Sequence, residues 1–261
     1  MGLQFSGPAT RMDDRSIEEA ARSIGCDIAA VRSVIDVESR GGFYADGRPK
    51  LLFERHYFSR LTGGRFDASN SDISCRTAGG YRGGPGEYDR LERAIRLDRK
   101  AALRSASWGA FQIMGDNCKS AGFDDVEAFV EEMVAGEPQQ LRAFVSFVKS
   151  ARLDRHLCAL DWKAFAKGYN GPGYKQNRYD EKLAAAYAFH SAGGPRVANP
   201  HPVLKAGDRG APVEALQRAL NIAADGKFGP GTLRAVIAFQ QKHRLVSDGV
   251  VGGSTWAALD H

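Results

Sequence analysis

Several features are scarce in this sequence of 261 residues. Its four cysteines lie far apart and form no Cys-x-x-Cys pair, so we predict reduced, mostly buried thiols rather than a disulfide scaffold. No apolar run reaches the ~18 residues that span a bilayer, which argues against stable membrane insertion. The first residues lack a basic segment followed by an apolar run, so we expect no secretory signal. We expect synthesis in a cytoplasm instead.

Metal-binding patterns are missing as well. The six histidines show neither His-x-His nor His-x-x-x-His spacing. A metal-dependent amidase or peptidase would need clustered ligands of this kind. We therefore expect neither a metal nor any other cofactor.

The charge of the chain points to a polyanionic partner. The formal net charge is +5 and the isoelectric point is about 9.0, which suits nucleic acid, an anionic membrane or an acidic cell wall. The basic residues are spread along the chain, and no helix-turn-helix, zinc-finger or RNA-binding signature is present, so nucleic acid is not expected as a partner. A hydrophobic content of 43% is enough for a real core.

Helical signals dominate the first 190 residues. Ser16 to Glu19 fits a capping box at the start of one helix, and Asp27 fits the cap of a second helix that should end at Gly41-Gly42. Lys50 to Phe53 is predicted as one strand of a small hairpin after the Asp46-Gly47 turn. Apolar spacing predicts further helices over residues 88–106, 124–135, 138–151, 161–169 and 179–191. The predicted class is mainly α (α+β).

A linker and a small tail domain should follow. Three prolines and two glycines fall between residues 192 and 202, so we predict a domain over 13–190, a linker over 191–204 and a second domain over 205–261. In the tail, Asp225-Gly226 is echoed by Asp248-Gly249. Each turn should lead into a helix capped by Thr232 or Thr255, giving a bundle of three short helices.

The tail resembles the peptidoglycan-binding domain found at one end of many wall hydrolases. The resemblance rests on Gly207 to Gly210, on Val213 to Leu220 and on both Asp-Gly turns. It implies that the tail binds the cell wall and that the chemistry belongs to the larger domain.

Glu38 is the main candidate for acid catalysis. It lies three residues after Ile35 and four after Val34, so it shares their apolar face of the predicted helix. Partial burial and the negative end of the helix dipole should both raise its pKa. A proton kept near neutral pH is what a general acid for glycosidic cleavage needs. The alternative interpretation is a solvated surface carboxylate.

Two further motifs complete a recognisable order. Ser107 to Met114 and Gly168 to Tyr174 are glycine-containing turns with rings and amides suited to sugars. Together with Glu38-Ser39, they resemble the lysozyme-like superfamily of goose-type lysozymes and lytic transglycosylases. More closely, Val37 to Gly42 with Asp46 to His56 resembles the N-acetylmuramidase domain of phage endolysins, over roughly residues 13 to 190.

This resemblance implies a mostly helical, two-lobed domain that cleaves between N-acetylmuramic acid and N-acetylglucosamine. It implies Glu38 as the catalytic acid, and its substrate-binding candidates are Ser107, Gln112, Tyr169 and Asn170. The second carboxylate stays open. Glu54 is one candidate, although Arg55 could neutralise it structurally, and Asp116 is a weaker one.

The expected function is that of an endolysin, a monomer that degrades bacterial peptidoglycan and lyses the host cell. It would be made in the host cytoplasm and reach the wall in the periplasm through a separate holin. Three alternatives share much of the pattern. They are a lytic transglycosylase that forms 1,6-anhydro products, a secreted wall-degrading toxin or autolysin, and a wall-binding protein with an inactive cleft.

Overall fold

Helices make up most of the structure, a computed structural model that describes residues 5–39, 41–192, 203–243, 245 and 247–259. A small three-stranded antiparallel sheet accompanies them, so the predicted mainly α class is confirmed. The helices of these residues are α1 Asp14–Ile24, α2 Ile28–Glu38, α3 Arg55–Leu61, α4 Glu87–Leu97, α5 Arg99–Arg104, α6 Val126–Ala135, α7 Glu137–Ser150, α8 Asp154–Cys158, α9 Trp162–Asn170, α10 Tyr179–Ser191, α11 Ala211–Ala219, α12 Pro230–Lys242 and α13 Gly253–Leu259.

The chain divides into two units that do not follow the sequence order. The first unit combines the N-terminal residues up to Ser16 with Gly41–Arg152, and the second combines Ile17–Arg40 with the chain from Leu153 onward. The second unit therefore contains α2, which carries Glu38, together with α8 to α13.

The sheet belongs to the first unit. β1 (Leu51–Phe53) pairs with β2 (Ala106–Trp108), and β2 pairs with β3 (Ile113–Met114). The predicted strand at residues 50–53 is thus present, but its partner in the sheet comes from a distant segment. The Asp46-Gly47 turn does close a short hairpin: Phe43 pairs antiparallel with Pro49, and the Tyr44 amide donates to the Arg48 carbonyl at 2.8 Å.

The helix predicted over residues 88–106 is wrong at two points. Asp98 interrupts it with extended backbone, and its side chain accepts from the Ala101 amide at 3.0 Å, which starts α5 as a separate helix. The helix then ends at Arg104, and the next residues join the sheet as β2. Tertiary pairing with β1 overrides the local helical spacing there.

A buried ion pair connects α4 to β1 in the first unit. Glu87 is fully buried and Arg90 is 1% exposed, and Arg90 Nη1 lies 2.7 Å from Glu87 Oε2. Both side chains also bond the Phe53 backbone: Glu87 accepts from its amide at 3.2 Å and Arg90 donates to its carbonyl at 2.9 Å. The hydrogen bonds satisfy charges that burial would otherwise destabilise.

The capping predictions are partly correct. Asp27 caps α2 by accepting from the Ala29 amide at 2.9 Å, as predicted. The predicted cap at Ser16 is wrong because α1 begins at Asp14. Asp13 accepts from the Ser16 amide at 2.8 Å, and Ser16 Oγ accepts from the Asp13 amide at 3.0 Å. These two bonds form a capping box one turn earlier than predicted.

The second helix ends earlier than predicted, at Glu38 and not at Gly41-Gly42. Ser39 is extended, with φ −91° and ψ 107°, and its amide donates back to the Ile35 carbonyl. Glu38 is therefore the last residue of α2. This end of the helix leaves Glu38 at the point where the last carbonyl groups lack partners within the helix.

The tail of the second unit forms the predicted three helices, α11 to α13. Most of the predicted linker, residues 193–202, lies outside the described residues. Leu204, near the linker's predicted end, pairs with Val251 and joins the hydrophobic core of the tail with Phe228 and Trp256.

The internal repeat of the tail has a physical basis in two glutamines. Gln217 accepts from the Gly226 amide at 2.9 Å and donates to the Thr232 hydroxyl at 2.9 Å. Gln240 bonds Gly249 and Thr255 in the same way, at 3.0 and 3.2 Å. The two threonines are consequently not the helix caps predicted for them, because α12 and α13 begin two residues earlier. Each Asp-Gly turn is instead tied to the preceding helix.

Candidate active site

Glu38 and Asn170 meet in the second unit. Glu38 ends α2 and Asn170 ends α9, and Asn170 Nδ2 donates to Glu38 Oε1 at 2.8 Å. Both side chains are half-buried. Gly171, with a φ of 72°, stops α9 directly after Asn170 and so determines where the amide lies. Two of the predicted site residues are thus in direct contact.

Tyr169 lies beside this pair. Its ring stacks on Phe165 with a centroid distance of 5.7 Å and an interplanar angle of 8°. The pKa of Tyr169 is raised above its usual value because its partial burial disfavours the charged form and, next in importance, because the negative charge of Glu38 is near. The tyrosine therefore keeps its proton and presents a neutral hydroxyl group next to the carboxylate.

Helix α10 positions α2, a role that the sequence did not reveal. Tyr187 donates to Asp27 Oδ2 at 3.1 Å near the start of α2, and His190 Nε2 lies 2.8 Å from Asp36 Oδ2 near its end. The two α10 residues are three positions apart, so they share one helix face. Both ends of the helix that carries Glu38 are therefore held by α10.

Ser107 and Gln112 lie in the first unit, on β2 and in the turn that leads to β3. Ser107 is 8% exposed and its hydroxyl donates to Met114 Sδ at 2.9 Å. Gln112 is exposed and adopts a left-handed conformation with a φ of 48°, and its Nε2 donates to the Gly109 carbonyl at 2.9 Å. Gln112 is therefore open to solvent, whereas Ser107 is nearly buried.

Two buried polar residues in the first unit were not predicted from the sequence. Glu137 is 4% exposed and accepts from the Gly42 amide at 2.7 Å, while Gln140 is 1% exposed and accepts from the Ala110 amide at 2.7 Å. A side chain on Gly42 would collide with Gln140, since a Cβ there would lie 2.3 Å from Oε1. These contacts explain the glycine that follows Glu38 closely in the sequence.

Glu54 has a different environment from the one expected. Its Oε2 accepts from the Tyr81 hydroxyl at 2.8 Å and lies 3.2 Å from His56 Nδ1. The suggestion that Arg55 neutralises Glu54 is wrong, because Arg55 donates to the Thr77 and Ala78 carbonyls. Burial and the neighbouring Glu54 together raise the pKa of Tyr81. Glu54 is thus a carboxylate held by a tyrosine, and its side chain is 14% exposed.

Asp116 is occupied by ion pairs. Its carboxylate lies 2.6 Å from Arg104 Nη2 and 3.2 Å from Arg60 Nη2. Two arginines on one carboxylate favour a structural role, which weakens Asp116 as the second catalytic group.

The described residues also bear on metal binding and on insertion into a membrane. They contain no group of three or more histidine, cysteine or acidic side chains that could hold a metal ion. Nor does any helix among them combine the length and apolarity needed to cross a bilayer.

Comparison with known proteins assigns the chain to a family. The profile of the N-acetylmuramidase family matches residues 27–191. The chain belongs to the N-acetylmuramidase family. A peptidoglycan binding domain profile matches residues 209–259, so the muramidase domain is joined to a wall-binding domain. These matches, and the endolysin structure of the next paragraph, identify the chain as an endolysin, a glycoside hydrolase that acts on peptidoglycan.

Individual relatives agree with the family assignment. The crystal structure of an endolysin from Burkholderia phage AP3 is 40% identical to this muramidase, with a TM-score of 0.68 over 71% of this chain and 73% of that one. An uncharacterized protein encoded in the bpoA1 3' region of Kitasatospora aureofaciens is 39% identical over 30% of this chain and 82% of that protein.

Proposed function

We propose that this muramidase hydrolyses the bond between N-acetylmuramic acid and N-acetylglucosamine, with Glu38 as the general acid. The observation that carries the proposal is the contact between Glu38 Oε1 and the Asn170 amide at 2.8 Å, beside the protonated Tyr169. The Asn170 amide can hold the carboxyl group in one position whether or not that group carries a proton, because an amide N–H donates to either form.

The amide bond gives the carboxyl group a defined orientation. Asn170 donates to Oε1, so we assign delivery of the proton to the other oxygen, Oε2. In the reaction Oε2 passes its proton to the glycosidic oxygen while the bond from that oxygen to C1 of the muramic acid breaks. Water then adds to C1 and loses a proton, which gives a hemiacetal and a free hydroxyl group on the departing sugar.

Glu54 is proposed as the second carboxylate, which stabilises positive charge on the sugar ring or activates the water. The support is its surroundings: Tyr81 orients the carboxylate, His56 Nδ1 lies 3.2 Å away, and the adjacent Arg55 donates to a backbone carbonyl instead. The alternative is a mechanism with Glu38 as the single essential carboxylate, in which water attacks without help from Glu54. The two mechanisms predict different effects of substitution at residue 54.

Replacing Glu54 with glutamine should lower kcat about 100-fold, within the usual range for an acid–base group. Glutamine still accepts the Tyr81 hydrogen bond, so unfolding temperature should change little. Steady-state turnover of purified peptidoglycan is the measurement. The matched control is Tyr81→Phe, which removes the hydrogen bond but keeps the carboxylate and should retain most of the activity. Wild-type turnover in Glu54→Gln would mean that Glu38 acts with water alone.

The remaining parts of the proposal concern the cell. We propose a monomer that is made in the host cytoplasm and reaches the periplasmic wall when a separate holin opens the inner membrane. The net charge of +5 supports attraction to the acidic wall, and the tail would add a second attachment that keeps the catalytic domain near its substrate.

The products should be those of hydrolysis. Mass spectrometry of digested peptidoglycan is expected to show fragments that end in reducible N-acetylmuramic acid. Digestion in ¹⁸O-labelled water should place the label on that sugar, because water supplies the new oxygen at C1. A digest dominated by 1,6-anhydro fragments without label would show a lytic transglycosylase instead.

A further inference from the structure

Two cysteines that are distant in the sequence lie side by side in the second unit. Cys26 occupies the turn between α1 and α2, and Cys158 is the last residue of α8. The two side chains are neighbours: Cys158 Sγ reaches the turn that carries Cys26, and Cys158 contributes to a raised pKa of the Cys26 thiol. Cys158 is exposed, whereas Cys26 is half-buried. The remaining cysteines, Cys75 and Cys118, lie in the first unit.

The backbone on both sides of this thiol pair is held in place. The Cys26 amide donates to the Ala21 carbonyl at 3.1 Å, and the next residue, Asp27, caps α2 and accepts from Tyr187 at 3.1 Å. Cys158 Sγ also lies 3.8 Å from the Ile24 carbonyl oxygen, so it contacts the turn that carries Cys26. The proximity of the two sulfurs therefore follows from the packing of α1, α2 and α8.

We propose that Cys26 and Cys158 form a redox site, which closes to an intramolecular disulfide when the enzyme meets a disulfide oxidant such as glutathione disulfide. Such oxidants prevail in compartments outside a reducing cytoplasm. The reaction needs no change of fold, because Cys158 already contacts the turn that carries Cys26.

The chemistry proceeds by two exchange steps. The exposed Cys158 thiolate attacks one sulfur of glutathione disulfide, forms a mixed disulfide and releases one glutathione thiolate. Cys26 then loses its proton to solvent and attacks Cys158 Sγ, which releases the second glutathione. Two protein thiols are oxidised to one disulfide, and the oxidant is reduced to two thiols.

The second step should depend on pH. Burial, followed by the neighbouring Cys158, raises the pKa of Cys26 to about 12. Only a small fraction of Cys26 is then thiolate at neutral pH, and that fraction grows about tenfold per pH unit below the pKa. Formation of the mixed disulfide removes the Cys158 thiol, which is one cause of the raised pKa of Cys26. The pKa of Cys26 should therefore fall before the second step.

The disulfide would brace the helices that carry the candidate acid. Cys26 lies two residues before α2, and Cys158 lies four residues before α9. The far ends of these same helices hold Glu38 and Asn170. A crosslink between their near ends restricts the unfolded chain over a long loop, which stabilises the folded enzyme.

The test uses the full chain, incubated with excess glutathione disulfide or kept in reduced glutathione. After oxidation, titratable thiols should fall from four to two, the intact mass should drop by two hydrogens, and peptide mapping should recover a Cys26–Cys158 crosslink. The midpoint of thermal unfolding should rise by roughly 5 °C or more relative to the reduced protein.

Single variants provide the controls. Cys158→Ser and Cys26→Ser should lose the crosslink and the rise in unfolding temperature, and Cys158→Ser should leave Cys26 slow to react. Cys75→Ser should keep the crosslink and the rise in unfolding temperature, with titratable thiols falling from three to one, because the Cys75 thiol contacts Thr77. A wild-type protein that retains four thiols, carries only glutathione adducts, or joins a different pair would overturn the proposal.

Discussion

Glu38→Gln is expected to lower kcat by about 1,000-fold on purified peptidoglycan, since general acid catalysis contributes 10²- to 10⁴-fold. Glutamine keeps the shape of the side chain but has no proton to deliver. It also still accepts the hydrogen bond from Asn170, so the end of α2 should keep its structure. KM and the amount of enzyme that sediments with insoluble wall should stay near the wild-type values.

Two further variants make this result specific. Glu131→Gln applies the same chemical change to an exposed glutamate of α6 and should leave turnover unchanged. Asn170→Ala keeps the acid but removes the group that orients it, so a partial loss of kcat is expected. If Glu38→Gln degraded peptidoglycan at the wild-type rate, the proposed mechanism would be wrong, although the family assignment would stand.

Local signals in the sequence were sufficient for much of the helical framework. The spacing of apolar residues predicted α6, α7, α9 and α10 to within two residues at either end, and Asp27 was correctly predicted as a cap. These features depend on neighbours within one or two turns, which a sequence displays directly. The same is true of the glycine that ends α9 and thereby positions Asn170.

Distant partners could not be predicted in this way. Nothing in the sequence indicates that residues 106–108 would pair with β1, or that Tyr187 and His190 would hold the two ends of α2. The environment of Glu54 shows the same limit, because its partner Tyr81 lies in a glycine-rich loop and the adjacent Arg55 donates to other residues. In each case the deciding contact joins segments that periodicity and motif order treat as independent.

The site combines both kinds of information. Motif order indicated Glu38, Tyr169 and Asn170 as a group, and the structure explains why these three are close: α2 and α9 both pack against α10, and each ends at its functional residue. The alignment of two helix ends places a carboxyl group, an amide and a neutral hydroxyl group together. A helix that ended at Gly41-Gly42, as first predicted, would have placed Glu38 within its last turn instead.

Glu87→Ala should be the most damaging substitution for stability in the first unit. It leaves the Arg90 guanidinium buried at 1% exposure without its carboxylate, and it removes the acceptor for the Phe53 and Gly83 amides. Breaking a buried ion pair on one side costs about 3–5 kcal/mol in the free energy of unfolding. In a domain of this size, the midpoint of thermal unfolding should fall by roughly 10 °C.

Differential scanning calorimetry can test this expectation with two comparisons. Glu92→Ala, an exposed glutamate on the same helix α4, should change the unfolding free energy by less than about 0.5 kcal/mol. Glu87→Gln keeps an oxygen for the backbone amides but not the charge, so it should fall between the wild type and Glu87→Ala. Equal losses in the two Glu87 variants would assign the whole effect to the unpaired Arg90 charge. A Glu87→Ala protein as stable as Glu92→Ala would mean that this buried pair does not hold β1 to α4.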